Sequence, residues 1–599
     1  MTLSPCRGGP RTSALSCILS LFSLFAVVAT LPAHAQTTLF WDGDGSGTVD
    51  GGTGTWDTAG TTWSTDASAS TGTAWDNTAP LDDAVFQNTA GTVTLDSDIT
   101  VRSLTFGTTG YILDGAHTLT FDGGSGGIDS GSGSPFLAVA IAGNDGLTKL
   151  GTGTVTLSGT NTYTGSTTVK SGTINLGSGG SISHSLSDTI IGSASGEVGA
   201  LQLSGGSLTN KIGRVGLAAG SSGSATITAG TWTNSQLWVG AGGSVLINGG
   251  NVSSAGSSEI IGTGTVSSGT LAISDELIVG GGSGTGSLLI NGGLVTNTKG
   301  SLGRLSTENG SVTVTSGTWT NSGDLYIGER GTGSLLVNGG DVTNAAGYVG
   351  YAGSSTGSAT VTSGTWTNSG TLTINGGGSL SVSGGEVTVG DIAVNDAFNN
   401  LYVDGSMVLS GGLVTVSGVT RPGNASGSTG SITLSGSEGN RGTLSTNQVV
   451  EFLGSATVTF DGGVLQARVN QSDFIWLFEA GDVTIESGGA FIDSNGFAIG
   501  VTPVLGGTGG SVDLGSAALI IDQSSTTSFG GAIIGTGSLT KQGAGTLALS
   551  GTNTYSGGTT ISGGTLQISA ASLPANITNN AALVFEQTTR YLKVPRLER

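Results

Sequence analysis

Along most of this chain, apolar residues alternate with Thr, Ser and Asn for a few positions until glycine stops them. "LLIN", "LLVN" and "TVTS" are such stretches, bounded by Gly-Gly, Asn-Gly or Ser-Gly. A period of two closed by turn formers predicts short β-strands with one buried face. The strands lie in a recurring cassette: "GSATITAGTWTN" ends at Asn234, "GSLLINGGLVTN" at Asn297, "GSVTVTSGTWTN" at Asn321, "GSLLVNGGDVTN" at Asn344 and "GSATVTSGTWTN" at Asn368. Its turn glycines are read as Gly230, Gly249, Gly269, Gly292, Gly317, Gly339, Gly364 and Gly384, spaced 19 to 25 residues apart, with looser copies at Gly205, Gly411, Gly462 and Gly488. So short a unit cannot bury its own apolar face, but stacked on its neighbours it can. The pattern predicts an all-β fold, a right-handed parallel β-helix (β-solenoid) whose inward Val, Ile, Leu and Trp form one core. A propeller, with repeats of about 40 residues or more, is the lesser alternative. It is kept because the "GTWTN" copies at Trp319 and Trp366 lie 47 residues apart.

Composition sharpens this picture. The 599 residues include 112 glycines, 9 prolines and only 10% charged residues, against an average of about 7% glycine and about a quarter charged. Glycine serves corners that need positive φ. Asn, Thr and Ser near the corners suit hydrogen-bonded ladders between stacked rungs, where like charges would repel. The net charge of −21 offers no basic face for phosphates and excludes nucleic acid as the expected partner. Solubility accounts for the acidity.

The N-terminus has its own pattern. Arg7 and Arg11 precede an apolar run from Leu15 to Leu31, followed by Ala33-His34-Ala35. That is the layout of a secretory signal peptide cleaved between Ala35 and Gln36. A membrane anchor is the alternative, but the run is at the short limit for spanning. No later stretch could cross a membrane as a helix. Both cysteines, Cys6 and Cys17, lie in this leader, so the mature chain is expected to be held by its core, without disulfides.

One phrase is longer than the cassette. Leu147 to Leu176 reads "LTKLGTGTVTLSGTNTYTGSTTVKSGTINL", and Leu539 to Ile568 reads "LTKQGAGTLALSGTNTYSGGTTISGGTLQI". Both resemble the autotransporter-associated β-strand repeat, also called the passenger-associated transport repeat. The motif residues are Lys149, Gly151, Gly153, Asn161, Tyr163 and Gly165 in the first copy, and Lys541, Gly543, Gly545, Asn553, Tyr555 and Gly557 in the second. All are read as structural. The opening, with Trp41, Trp56, Trp63, Trp75, Phe86 and Tyr111, looks like the Trp-rich start of such proteins and suits a cap that closes the first rung.

The resemblance implies a secreted or surface-displayed passenger of a Gram-negative-type bacterium, adhesin-like or structural, with surface glycans or host or neighbouring cells as partners. Members usually continue into a C-terminal β-barrel translocator. Nothing after Ile568 is long enough for one, so the barrel is expected outside this chain. "ALVFEQTT" from Ala582 parallels "LIIDQSST" from Leu519, then gives way to the basic "RYLKVPRLER". That pattern points to a truncated or frameshifted frame, or to a barrel encoded elsewhere. The expected divisions are a signal peptide (1–35), a Trp-rich cap with the first rungs (36–135), the first long repeat (136–180), β-helix rungs (181–518), the second long repeat (519–570), and a partial third module with the basic tail (571–599).

Candidate chemistry is sparse. "DGDGSGTVD" places Asp42, Asp44, Ser46 and Asp50 at calcium-loop positions with Gly47 at the turn, but Thr53 stands where a bidentate Glu is wanted. It is read as an Asp/Gly-rich turn. "GGSGGID" from Gly123 puts Asp129 one residue late for a calcium nonapeptide. His117 and His184, with no cysteine and no ligand spacing, are read as surface turn histidines rather than zinc ligands. No "G-x-S-x-G" elbow between a strand and a helix supports a serine triad. The densest acidic patch is Glu386, Asp391, Asp396 and Asp404, with Arg421 beyond. It is the place a polysaccharide-cleaving β-helix would use, and is otherwise a set of solvated turn carboxylates. Tyr163 and Tyr555 are read as turn or core contacts rather than sugar-stacking residues, and Lys149 and Lys541 as turn residues. No catalytic residue, cofactor or metal is assigned. The expected function is an exported, non-catalytic β-helical passenger, and the rival is a secreted polysaccharide lyase or glycoside hydrolase.

Overall fold

The structure, a computed structural model, describes residues 36–586 apart from 79, 124–125, 283, 391–398, 479–481, 487, 494, 498, 502–510, 514–517, 523–525, 530–531 and 570–575. The leader with Ala35, Asp391, Asp396 and the basic tail lie outside the described residues. Gln36 is the first described residue and is exposed. Among the described residues the regular elements are all β, and no helix is long and apolar enough to cross a membrane.

Among the described residues, strands pair in parallel with the strand one coil ahead, apart from the antiparallel pairs Thr38–Trp41 with Trp63–Ser64 and Thr429–Ser437 with Asn440–Arg441. Thr285–Asn297 pairs with Asn309–Asn321, which pairs with Thr332–Asn344, which pairs with Thr356–Asn368. Each of these long strands covers two faces of a coil, and the register breaks at the corner between them, as at Ile290 to Leu294. Short strands such as Lys299–Leu302, Leu325–Ile327 and Gly347–Val349 stack into a third face. The predicted β-solenoid is what forms, and alternation is its cause: along Thr356–Asn368 the residues Ala359, Val361 and Trp366 point inward and are buried. The corners turn on glycine, with φ of 82° at Gly317 and 80° at Gly364. The sequence placed three corners one residue early. In these three Ser-Gly-Gly phrases the second glycine takes positive φ: Gly385, Gly412 and Gly489 rather than Gly384, Gly411 and Gly488. Register explains the shift, because Glu386 pairs with Thr365, aligning Gly385 with Gly364.

The 47-residue spacing that kept a propeller in view has another origin. Trp319 and Trp366 lie on the inner side of the second face, with Val342 between them in register. Each Trp lies against a glycine on the third face of the preceding coil. A Cβ on Gly300 would sit 3.0 Å from the Trp319 ring, and one on Gly347 3.2 Å from the Trp366 ring. Each indole N–H donates to an asparagine of the preceding coil, Trp319 to Asn297 Oδ1 (2.7 Å) and Trp366 to Asn344 Oδ1 (2.8 Å). Those asparagines donate onward, Asn297 to Asn321 (2.5 Å) and Asn344 to Asn368 (2.7 Å). From Val295 to Val387 the larger period is therefore a pair of coils, one with Trp and one with Val.

The Trp-rich opening forms the N-terminal end of the rod. Trp41, Trp56, Trp63 and Trp75 are all buried. The Trp41–Trp63, Trp56–Trp63 and Trp56–Trp75 ring centroids lie 5.1, 4.9 and 4.9 Å apart, and Phe86 packs on Trp56 and Trp63. Such an aromatic cluster supplies the apolar area with which an end coil, lacking a neighbour on one side, closes its core.

Candidate functional surfaces

The long repeat is built to join coils. Lys149, in strand Leu147–Leu150, is fully buried and is not a turn residue. Its ammonium donates to the carbonyls of Leu150 (2.6 Å), Gly151 (2.8 Å) and, one coil ahead, Ser171 (3.2 Å). Burial lowers its pKa to about 8, and the Asp129 carboxylate opposes the shift. Lys541 repeats the arrangement with Gln542, Gly543 (2.8 Å) and Gly563 (3.1 Å). Asn161 accepts from Ile141 N–H in the preceding coil (3.1 Å) and donates to Ser181 O in the next (2.9 Å). Asn553 likewise accepts from Ile533 N–H (2.9 Å). The motif glycines allow this closeness: a Cβ on Gly153 would lie 1.7 Å from Gly133 O, and one on Gly165 2.2 Å from Gly146 N.

Tyr163 and Tyr555 are buried core contacts, as expected. Tyr163 O–H bonds to Thr167 Oγ1 (2.6 Å), which bonds to His184 Nε2 (2.9 Å), and His184 Nδ1 donates to Ser187 O (3.1 Å). His184 is thus buried rather than a surface turn residue, and burial lowers its pKa. That favours the neutral ring, whose one N–H is used by Ser187 O. His117 is half-buried, 3.4 Å from Asp98.

The acidic patch read from the sequence does not assemble among the described residues. Glu386 points outward from the second face, in register with Thr365 and Leu413. Asp404, beyond a third-face strand, is buried and accepts from Ala425 N–H (3.0 Å) and Ser428 O–H (2.6 Å), which makes it a turn clamp. Arg421 lies over the Phe452 ring at 5.2 Å. At the opposite end of the rod, carboxylate oxygens of Asp42, Asp44 and Asp50 lie within 4.8 Å of one another.

A different surface gathers chemistry that the sequence did not reveal. Outward positions of the second face are mostly hydroxyls, such as Thr296, Thr320, Thr343 and Thr367. The third face instead stacks Ser301, Tyr326 and Tyr348 in register. The two Tyr rings lie 4.8 Å apart and nearly parallel, while half-exposed Tyr351 meets both edge-on at 5.0 and 5.2 Å. Lys299 lies 4.8 Å from the Tyr326 centroid and pairs with Glu276 (2.9 Å) and Glu329 (3.2 Å). Burial opposes the lysine's charge, but its bonds to Glu276 and Glu329 outweigh burial and hold its pKa above the ordinary value. Further along the same face Trp238, partly exposed, lies under Arg214 at 4.5 Å and beside Glu259, whose pKa burial raises. These residues come from several successive coils, so only the register brings them together.

The comparisons with known proteins agree with this architecture. The passenger-associated-transport-repeat family matches residues 147–176 and 539–568. Over 212 residues the chain is 36% identical to "Adhesin BmaC autotransporter" of Brucella suis biovar 1 (strain 1330), a stretch covering 35% of this chain and 6% of that protein. The chain thus matches only a small part of that much longer relative. No solved structure matches significantly. The chain thus carries two passenger-associated transport repeats, whose Lys, Asn and Tyr tie successive coils together, and part of it is similar to an autotransporter adhesin.

Proposed function

We propose that the protein is an exported, non-catalytic adhesin of a Gram-negative-type cell surface, and that the third face is its contact surface. The observation that carries the reading is the cluster of Tyr326, Tyr348, Tyr351 and Lys299, with Glu276 and Glu329, on a rod whose neighbouring face is a ladder of hydroxyls. Aromatic faces beside fixed hydrogen-bonding charges suit the pyranose rings of surface glycans, and aromatic anchors dominate such interfaces. The relative named an adhesin supports the same class. The division into a cap, coils and two inserted long repeats belongs to this proposal, with the repeats acting as rung clamps rather than separate domains.

A polysaccharide-cleaving reading, if kept, moves from Glu386 to Glu259, because burial raises that carboxyl toward the protonated state an acid needs. One experiment separates the two. Purified chain on a glycan array should bind a defined subset, with Tyr351→Ala and Tyr348→Ala each weakening it about tenfold or more. Binding indifferent to both substitutions, or cleavage of a bound glycan abolished by Glu259→Gln, would defeat the adhesin proposal.

A further inference from the structure

Asp42 lies at the end of the first strand, Thr38–Trp41, and is fully buried. Neither of its carboxylate oxygens reaches solvent or accepts a hydrogen bond. A buried, ionised and unpaired carboxylate is among the costliest features a protein can hold. Here the cost is compounded, because oxygens of Asp44 and Asp50 converge to within 4.8 Å. Among the described residues no other such trio occurs. We propose that this loop of the N-terminal cap is a calcium site, with Asp42 as its buried ligand and Asp44 and Asp50 closing it from the solvent side.

The geometry and the sequence point the same way. Calcium–oxygen distances of about 2.3–2.6 Å place opposed ligands roughly 5 Å apart, the spread this trio shows. Asp42, Asp44, Ser46 and Asp50 occupy positions one, three, five and nine of a calcium loop, with glycine at position six. The loop is held at both ends. Asp42 N–H donates to Thr62 O (2.9 Å), Gly43 N–H to Gly51 O (2.9 Å), and Thr89 N–H to Asp50 O (2.9 Å). Asp44 accepts its own Ser46 N–H through Oδ1 (2.9 Å), so Oδ2 can turn to a cation. Donors that are all oxygen and mostly anionic select a hard cation over zinc. Thr53 in place of a bidentate Glu puts the affinity in the weak, extracellular class of roughly 10⁻⁴–10⁻³ M.

The test uses the purified full chain stripped with EDTA. Tb³⁺ should luminesce on excitation of the adjacent Trp41 and be displaced by Ca²⁺ at one site. Ca²⁺ should also raise the melting midpoint of the near-UV signal from the Trp cluster by several degrees. Asp50→Asn and Asp44→Asn, both at exposed positions, should each weaken binding tenfold or more without unfolding the cap. Asp42→Asn should abolish binding, yet in EDTA melt at or above the parent, because an unpaired buried charge is gone. Melting unchanged by Ca²⁺ up to about 10 mM, ten times the weakest affinity expected, overturns the assignment. So does binding that survives Asp44→Asn and Asp50→Asn, or an equal shift with Mg²⁺.

Discussion

Lys149 shows how a single buried cation makes stability depend on pH. Its pKa falls from 10.5 to about 8 in the folded protein because burial disfavours the ammonium. Between those values the unfolded chain holds a proton that the folded chain has released, so stability rises with pH across that window. The full effect is at most about 3 kcal/mol. The buried tyrosines act the other way. Burial raises the Tyr163 phenol, and raises Tyr555 and Tyr111 from 10.0 to about 12. Above pH 10 the unfolded chain loses phenol protons that the folded chain retains, and stability falls. Urea midpoints should therefore climb from pH 8 toward pH 10 and then drop. Lys149→Met should flatten the climb and Tyr163→Phe should reduce the drop; a climb unchanged in Lys149→Met would show that the lysine is not its source. The motif made Lys149, Asn161 and Tyr163 legible as structural residues. It did not show that the lysine is buried, because Lys in an alternating Thr/Gly context looks like a surface residue until three carbonyls are seen around its nitrogen. His184 was misplaced for the same reason, since its partner Thr167 lies one coil away.

At the level of the coil, the Trp, Asn and Gly positions form one interlocking element. Asn344 accepts from the Trp366 indole and donates to Asn368, and all three are buried. Replacing Asn344 with Leu removes both bonds and leaves a buried N–H and a buried amide oxygen each short of a partner. A loss of about 2–4 kcal/mol is expected from two such groups, measurable as a lowered midpoint in denaturant. Gly347 is as strict for a different reason. A Cβ there would lie 2.3 Å from Asn368 Oδ1 and 2.8 Å from Leu372 Cδ1, so Gly347→Ala should cost about 1–3 kcal/mol by overpacking. If Gly347→Ala melts with the parent, the lock between Trp and Gly is not real. Strand alternation and corner glycines were readable along the chain because both are local. The pairing of Trp319 with Gly300, and the one-residue shift at Gly385, depend on which residue stacks on which, and that is set only by register. The third face was hidden for the same reason: Lys299, Tyr326 and Tyr348 belong to three successive coils, whereas Glu386 and Asp404, near in sequence, lie in separate settings, one outward on the second face and one clamped in a turn.

For the whole molecule, stability should follow the stacking of neighbouring coils, because each coil pairs only with the one before and the one after it. The larger period then makes a sharp prediction about length. Deleting residues 322–368 removes one Trp coil and one Val coil, and joins Asn321 to Ser369 at the place where Asn368 stood. Trp319 then stacks on Val387, as Trp366 does now, so the shortened rod should keep its parallel register and melt within a few degrees of the parent. Deleting residues 322–344 removes a single coil and stacks Trp366 directly on Trp319, where Val342 now separates them. That variant should lose about 1–3 kcal/mol to overpacking. Equal melting of the two variants would mean that coils are interchangeable singly and that the pair is not the unit of construction. The two-coil deletion also takes out Tyr326, Tyr348 and Tyr351 together. If the third face is the adhesive surface, the variant should remain a folded rod and lose glycan binding. A folded rod that still binds would place adhesion elsewhere on the solenoid.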